Sequence, residues 1–440
     1  MDITFLGTAS AQPSPTRNHS SLAFRCDGEV WLFDCGEATQ HQFIHMNNNP
    51  SLYVPDPSAT IESALPSPAW NPPKFSKLSR VFLTHLHGDH CFGLPGLLCT
   101  AGAVVRVADA ADSVAAPIHV YGPRGVRAYV RNMLDASMSR IGRGIVIHEL
   151  LLPTDAILIT TSYPPPHIDE SEGTDFIAKK IISNENAGNN SDNSHWYWDI
   201  LTGNPQGKSG ASRLSVQSAP IKHTVPTVGY LILEARTAGR LHVEKLTPIL
   251  MRNKAALGLK NPMVLLARIK NGETLTMPDG TVVSPREFLE PARRGRRVLV
   301  LGDTCDAVHS AFVDLVDGLA REDVAEAVGD GDEKTVIVDI VVHEATNACL
   351  KSDLDAGATV LGVQEQTIEH GHSTPEIAAE FARRVGAARL VLNHFSNRYK
   401  GDGAETSLGI MEEVRQIAVN SFGPNVVCAR DFMGVVVTRP

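Results

Sequence analysis

His85-Leu86-His87-Gly88-Asp89-His90 follows directly on the apolar stretch Arg80–Thr84, and this junction decides how the rest of the chain is read. Three imidazoles and a carboxylate fall within six residues. Donors at that density suit a divalent metal, zinc first, with manganese or iron as alternatives. The His-x-His spacing puts two side chains on one side of an extended segment. Asp89 and His90 then turn toward a second position nearby, a turn that Gly88 permits. A strand running into this loop, with Gly93-Leu94-Pro95-Gly96 beyond it, separates the pattern from a merely solvated histidine-rich loop.

Four residues cannot complete two metal sites, so ligands must come from elsewhere. His223 in Lys222–Tyr230, Asp303 in Leu301-Gly302-Asp303-Thr304 and His394 in Leu392-Asn393-His394-Phe395 are the candidates. Singly, each reads better as a cap or core residue. Together, all at strand ends of an α/β chain, they form a set.

Outward from the loop, short strands are expected at Asp2–Leu6, Ser20–Arg25, Val30–Phe33, Arg80–Thr84 and Ile118–Tyr121, the last followed by a helix over Arg124–Leu134. Later strands at Arg297–Leu301, Thr335–Val342 and Arg389–Leu392 alternate with helices. Pro375–Val385 is one of these, with Thr374 as its N-cap and Pro375 in its first turn. Residues 47–77 and 168–213, the latter with the polar run Ser183–Ser194, read as loop insertions, and Gly329–Lys334 as an acidic connector. The pattern predicts a single α/β domain over residues 1–440.

Hydrophobic residues make up 43% and charged residues 20% of the 440, as in a globular protein with a filled core. No apolar run reaches membrane-spanning length, and no basic leader precedes an apolar stretch. Seven scattered cysteines without a Cys-x-x-Cys pair argue for reduced thiols in the cytoplasm or nucleus and against a disulfide framework. The net charge of −9 hides an asymmetry: residues 236–297 hold thirteen Lys/Arg against five Asp/Glu, a surplus of +8, leaving −17 elsewhere. Because salt confines each charge to roughly 10 Å, that stretch can act as a local phosphate-binding surface. From charge alone, a solvated helix and loop is an equal reading.

The chain resembles the tRNase Z family of tRNA 3′-processing endoribonucleases, within the metallo-β-lactamase superfamily. The resemblance runs in order through Phe5–Thr8, Pro13–Asn18, Leu32–Gln40, His85–Leu98, His223–Tyr230, Gly302–Thr304, His343-Glu344-Ala345-Thr346, Gly371-His372-Ser373-Thr374 and His394–Tyr399. The histidine loop names only the superfamily chemistry. The His-Glu-Ala-Thr, Gly-His-Ser-Thr and His-Phe-Ser elements point to the family.

The resemblance implies a four-layered αββα sandwich with the metals at one edge and a protruding exosite arm within 236–297. It implies two zinc ions per subunit, with manganese as a substitute: His85, His87 and His223 on one, Asp89, His90 and His394 on the other, and Asp303 between them. Asp34 would orient the histidine loop through hydrogen bonds. Two ions about 3.5–4 Å apart stabilise both the attacking and the leaving oxygen of a phosphodiester. Asp89 would accept the proton of the attacking water, and His372, paired with Glu344, would protonate the leaving 3′ oxygen. Without the family, His372 reads as a helix N-terminal residue bonding locally. Arg17, Asn18, Thr346, Ser373 and Thr374 are implied substrate contacts, precursor tRNA the substrate, and a homodimer without membrane association the assembly.

Four departures stand out. Pro15 replaces a family lysine in a loop tied to sensing the mature CCA end, Ala38 replaces Gly, and Asn393 stands where Thr is common. In the arm, Leu257–Leu266 keeps only Gly258 and one proline of a Gly-Pro-rich turn. Two other readings are a hydrolase of the same fold acting on small molecules and a catalytically silent tRNA-binding protein. The complete ligand set argues against the second.

Overall fold

Runs of β-branched and aromatic residues become strands here wherever a face can be buried. The computed structural model describes residues 1–56, 72–108, 116–158, 163–181, 196–203, 213–237, 239–290, 293–326 and 336–439. A ten-stranded sheet runs from edge to edge through Val54–Pro55, Met433–Val436, Asp2–Gly7, Ser21–Cys26, Glu29–Phe33, Leu78–Phe82, Ile118–Pro123, Ile145–Leu151 and Glu170–Ser171, with Phe176–Ile177 also paired to Ile145–Leu151. An eight-stranded sheet runs through Lys179–Lys180, Trp196–Leu201, Leu214–Ile221, Thr227–Glu234, Arg297–Val300, Ile340–Glu344, Leu390–Asn393 and Val426–Cys428.

Aromatic side chains fill the space between the sheets. Phe33 stacks on Phe82 at 5.0 Å between centroids, and Tyr230 of the other sheet meets both rings. The Tyr230 hydroxyl donates to Leu83 O at 2.5 Å, and Trp198 Nε1 donates to Leu151 O at 3.0 Å, so two cross-sheet contacts end in satisfied polar tips. Helices cover both outer faces. Phe43, Leu94, Leu97 and Val130 pack on the first sheet, and Phe312, Ala378, Phe381 and Val414 on the second. This is the αββα sandwich that the family resemblance implied.

Differences from the sequence reading are local. Trp196–Leu201, inside a segment expected to be loop, is a strand, because its alternation buries Trp198 and Ile200 and pairs it with Leu214–Ile221. The strand expected at Thr335–Val342 lies later, at Ile340–Glu344, which puts His343 and Glu344 inside it. Thr374 makes no side-chain cap, so the helix Pro375–Arg384 starts on its proline alone. Gly88 does not take a left-handed backbone. It opens a single helical turn, and a Cβ there would lie 2.3 Å from the Phe92 ring. The run Ser183–Ser194, the connector 329–334 and residues 57–71 of the expected insertion 47–77 lie outside the described residues.

The chain divides into two compact units: Met1–Thr202, Ser215–Leu233 and Arg297–Thr438 form the first, and Gly203–Leu214, Glu234–Arg296 and Arg439–Pro440 the second. The second has its own small core of Leu246, Leu250, Leu265, Ile269, Leu275, Met277 and Val283. No helix among the described residues is long and apolar enough to cross a membrane.

Ala38, exposed at the start of the helix Thr39–Asn48, has φ 62. That left-handed conformation costs an L-residue roughly 1–2 kcal/mol, partly offset by the freedom glycine adds to the unfolded chain. Ala38→Gly is therefore expected to stabilise the chain by about 0.5–1 kcal/mol, read as a higher urea midpoint at unchanged slope. An equal or lower midpoint would contradict this.

Candidate metal centre

Each chemically distinctive residue sits where a strand ends. Glu29–Phe33 hands on to Asp34, Leu78–Phe82 to Thr84–His90, Leu214–Ile221 to His223, Arg297–Val300 to Asp303 and Leu390–Asn393 to His394, while Ile340–Glu344 ends on Glu344 itself. Parallel register keeps these ends level, with Phe33 opposite Phe82, Val300 opposite Val342 and Glu344 opposite Asn393. Asp34 and His394 both leave their strands with φ 57, a strained turn for a residue with a Cβ.

The donors gather in two groups, His85, His87, His223 and Asp303 in one and Asp89, His90 and His394 in the other, with the donor atoms of each within 4.8 Å of one another. Four imidazoles are gripped by their outward Nδ1. That of His85 lies 3.0 Å from Thr84 Oγ1, that of His90 2.7 Å from Asp34 Oδ2, that of His223 2.7 Å from Gly371 O and that of His394 3.1 Å from Thr346 Oγ1. In its neutral form each such ring carries its proton on the gripped nitrogen and presents a lone pair inward. These inward nitrogens face each other: His90 Nε2 and His394 Nε2 at 3.1 Å, and His87 Nδ1 against His85 Nε2 at 3.1 Å and His223 Nε2 at 3.3 Å.

Asp303 divides its two oxygens between the groups. Oδ1 lies 3.3 Å from both His90 Nε2 and His394 Nε2, while Oδ2 faces His85 Nε2 at 3.7 Å and His223 Nε2 at 3.9 Å. Convergent lone pairs and a shared carboxylate in a buried place call for positive charge between them, and this donor set fits divalent zinc. Electrostatics act on two of these rings in opposite directions. Burial, reinforced by the charge of His90, holds the His85 imidazole well below its ordinary value, so it stays neutral. At His90 burial acts the same way, but Asp303 and Asp34 outweigh it and raise that imidazole well above. Asp34 also accepts from the Thr84 amide at 2.7 Å and hydroxyl at 2.8 Å, which ties the histidine loop to the neighbouring strand. Gly371 has φ +82, and a Cβ there would lie 2.6 Å from His223 Nδ1, so only glycine fits beside that ring.

Alongside the two groups lies an acid–base pair. His372 Nδ1 is 3.0 Å from Glu344 Oε1, and the His372 side chain is 17% exposed against 2% for Glu344. Burial disfavours the imidazolium, but the Glu344 charge and hydrogen bond outweigh it and raise His372 to about 9. Burial likewise pushes Glu344 up, and His372 overcomes it and brings the carboxyl below its usual range. Glu344 is further fixed by the Thr304 amide at 2.8 Å and the Thr346 hydroxyl at 2.6 Å.

The five residues implied as substrate contacts are placed differently. Arg17 is 2% exposed, with its guanidinium directed at protein groups throughout. The Asn18 side chain donates to Glu37 O, and Ser373 Oγ donates to Thr304 O. Thr346 holds Glu344 and His394, and Thr374 is buried. Arg17, Thr346, Ser373 and Thr374 are thus all buried in the protein. Sequence reasoning missed Thr84, whose hydroxyl joins Asp34 to His85; its place directly before the histidine loop was the available signal.

Residues 74–178 match the metallo-β-lactamase superfamily. Together with the metal-ready clusters, this defines a hydrolase of that superfamily. Zinc phosphodiesterase ELAC protein 1 of Mus musculus is 32% identical, covering 98% of this chain and 97% of the relative, and ribonuclease Z of Geobacillus kaustophilus is 31% identical over 100% of both. The crystal structure of human tRNase Z, short form, aligns over 100% of both chains with a TM-score of 0.52 and 25% identity. The chain belongs to the ribonuclease Z family, and it is a phosphodiester-hydrolysing, metal-binding endonuclease.

Proposed function

We propose that the chain removes the 3′ trailer from precursor tRNA and leaves a 3′-hydroxyl on the tRNA. The observation that carries this reading is the Glu344–His372 pair beside the metal groups. Ribose 3′ oxygen is a poor leaving group and needs a proton as the P–O bond breaks. With Nδ1 turned to Glu344, His372 has Nε2 free to supply it.

His85, His87 and His223 would hold one zinc, Asp89, His90 and His394 a second, with Asp303 shared, and manganese would substitute. Bound zinc supplies a nucleophile at neutral pH and offsets charge on the phosphoryl oxygens. Asp89 takes the proton released by the attacking water. Attack at phosphorus breaks the bond to the 3′ oxygen, His372 gives its proton to that oxygen, and the trailer departs with the phosphate. Glu344 keeps His372 charged and oriented for the next turnover.

The second unit, read as the tRNA-binding arm, has a cavity of about 800 Å³ lined by Arg240, Lys270, Arg293, Arg294 and Arg439 against one carboxylate, Glu234. Contacts from such cations to phosphates are blind to sequence, which suits an enzyme that accepts many tRNAs. Exposed Leu354, Val360, Leu361 and Ile368 fall within one short segment and support a homodimer, checked by light scattering. All seven cysteines are free, which supports a cytoplasmic or nuclear location.

End-mapped cleavage of a precursor tRNA is expected to give one cut after the discriminator nucleotide, lost on chelation and restored by zinc. Failure of the zinc-loaded chain to cut would overturn the proposal. The general-acid role makes a sharper demand. His372→Gln is expected to slow RNA cleavage by about 10²–10⁴-fold yet leave a 4-nitrophenyl phosphodiester, whose leaving group needs no proton, little affected. The wild-type rate on RNA is expected to fall as pH rises through about 9, because His372 is charged below that value and neutral above it. Equal losses on both substrates would remove His372 from the acid role.

A further inference from the structure

The segment Thr8–Asn18 delivers a backbone group to the metal centre. Ala11 N–H donates to Asp89 Oδ2 at 2.7 Å, and the same oxygen lies 3.4 Å from His394 Nε2 and 3.6 Å from His90 Nε2. Ala11 is exposed and has φ 56, so a left-handed backbone, not packing of its methyl, aims this amide.

The segment is laced to the turn that carries His394. Ser10 N–H donates to Phe395 O at 2.9 Å and Phe395 N–H returns to Thr8 O at 2.9 Å, while Ala9 N–H closes on Asn18 O at 2.8 Å. Arg17 lies beneath. Its Nε donates to Tyr399 O at 2.7 Å, its Nη1 to Thr8 Oγ1 at 2.7 Å and Ala429 O at 3.0 Å, and its guanidinium carbon sits 4.6 Å from the centre of the Phe395 ring. One buried planar cation therefore joins the loop, the His394 turn and the strand connection near residue 429.

We propose that Ala11 is a positioning residue whose amide fixes the Asp89 carboxylate, and that Arg17 anchors the loop in the conformation presenting that amide. A carboxylate gripped only by a mobile ion pivots about its χ2. A charge-assisted N–H···O bond from an anchored backbone removes that freedom and sets which oxygen faces the neighbouring imidazoles. Lysine cannot replace Arg17, because one ammonium cannot reach three acceptors in different directions while lying flat on a ring. The proposal rests on reading Asp89 as a zinc ligand.

The test pairs Ala11→Gly with Ala11→Val, with zinc affinity measured by competition with a chelating dye and cleavage of precursor tRNA measured in parallel. Glycine keeps the N–H and accepts φ 56, so Ala11→Gly is expected to match the wild type. Valine at an exposed position disturbs no packing, but its branched Cβ resists a positive φ and swings the amide away. Ala11→Val is expected to lose about 10–100-fold in zinc affinity and in kcat at little-changed KM, with Arg17→Lys losing in the same sense. If Ala11→Val binds zinc and turns over like Ala11→Gly, the positioning role is refuted while the ligand reading stands. If the wild type binds no zinc, the ligand reading falls and takes this proposal with it.

Discussion

Lone pairs that face one another across about a hydrogen-bond length repel unless a cation lies between them, and the metal centre is built around that constraint. Five imidazole nitrogens and both oxygens of Asp303 meet at the level ends of strands from two sheets. Four of the five rings are held from behind, by Thr84, Asp34, Gly371 or Thr346, so that the basic nitrogen cannot turn away. The left-handed turns at Asp34 and His394 are the local cost of this convergence. Packed sheets and the three rings of Phe33, Phe82 and Tyr230 between them supply a frame stiff enough to sustain it.

Two carboxylate–imidazole contacts at the same edge serve opposite ends. Asp34 holds His90 so that its other nitrogen can act as a ligand. Glu344 holds His372 at 3.0 Å, while the Asp303 carboxylate stands off at 3.8 Å. Similar side chains are thus set apart by what surrounds them: His90 sits between Asp34 and Asp303, whereas His372 is open to solvent on one side. Under the proposed reading, the same pairing chemistry serves metal binding at one ring and acid catalysis at the other.

Much of this was legible in the residues themselves. The histidine loop, the scattered ligands at strand ends and the basic stretch 236–297 could be read from spacing and charge, because ligand chemistry allows few residue types. Glu344 and His372 needed the family resemblance, since one Glu and one His in separate motifs carry no spacing signal. Arg17 shows where sequence stops short: the resemblance implied a substrate contact, and only the fold reveals the ring and three acceptors that enclose it. The Ala11 amide was beyond reach, because a backbone donor has no side-chain signature at all. Trp196–Leu201 was hidden for another reason: it lies between polar runs, and its strand depends on pairing with Leu214–Ile221 beyond the second of them.

The first strand, Asp2–Gly7, finds its partner at Met433–Val436, and Thr8 donates to Asp431 across 423 residues. A ribosome making this chain in order releases the histidine loop long before the segment that braces the loop's neighbours exists. Until then the Arg17 cradle stays open, because two of its acceptors, Tyr399 O and Ala429 O, are not yet made. Closure of that long circuit is a late event with a large entropic barrier. A chain halted short of Ala429 would carry the histidine loop without the full set of acceptors that anchors the Thr8–Asn18 segment beside it.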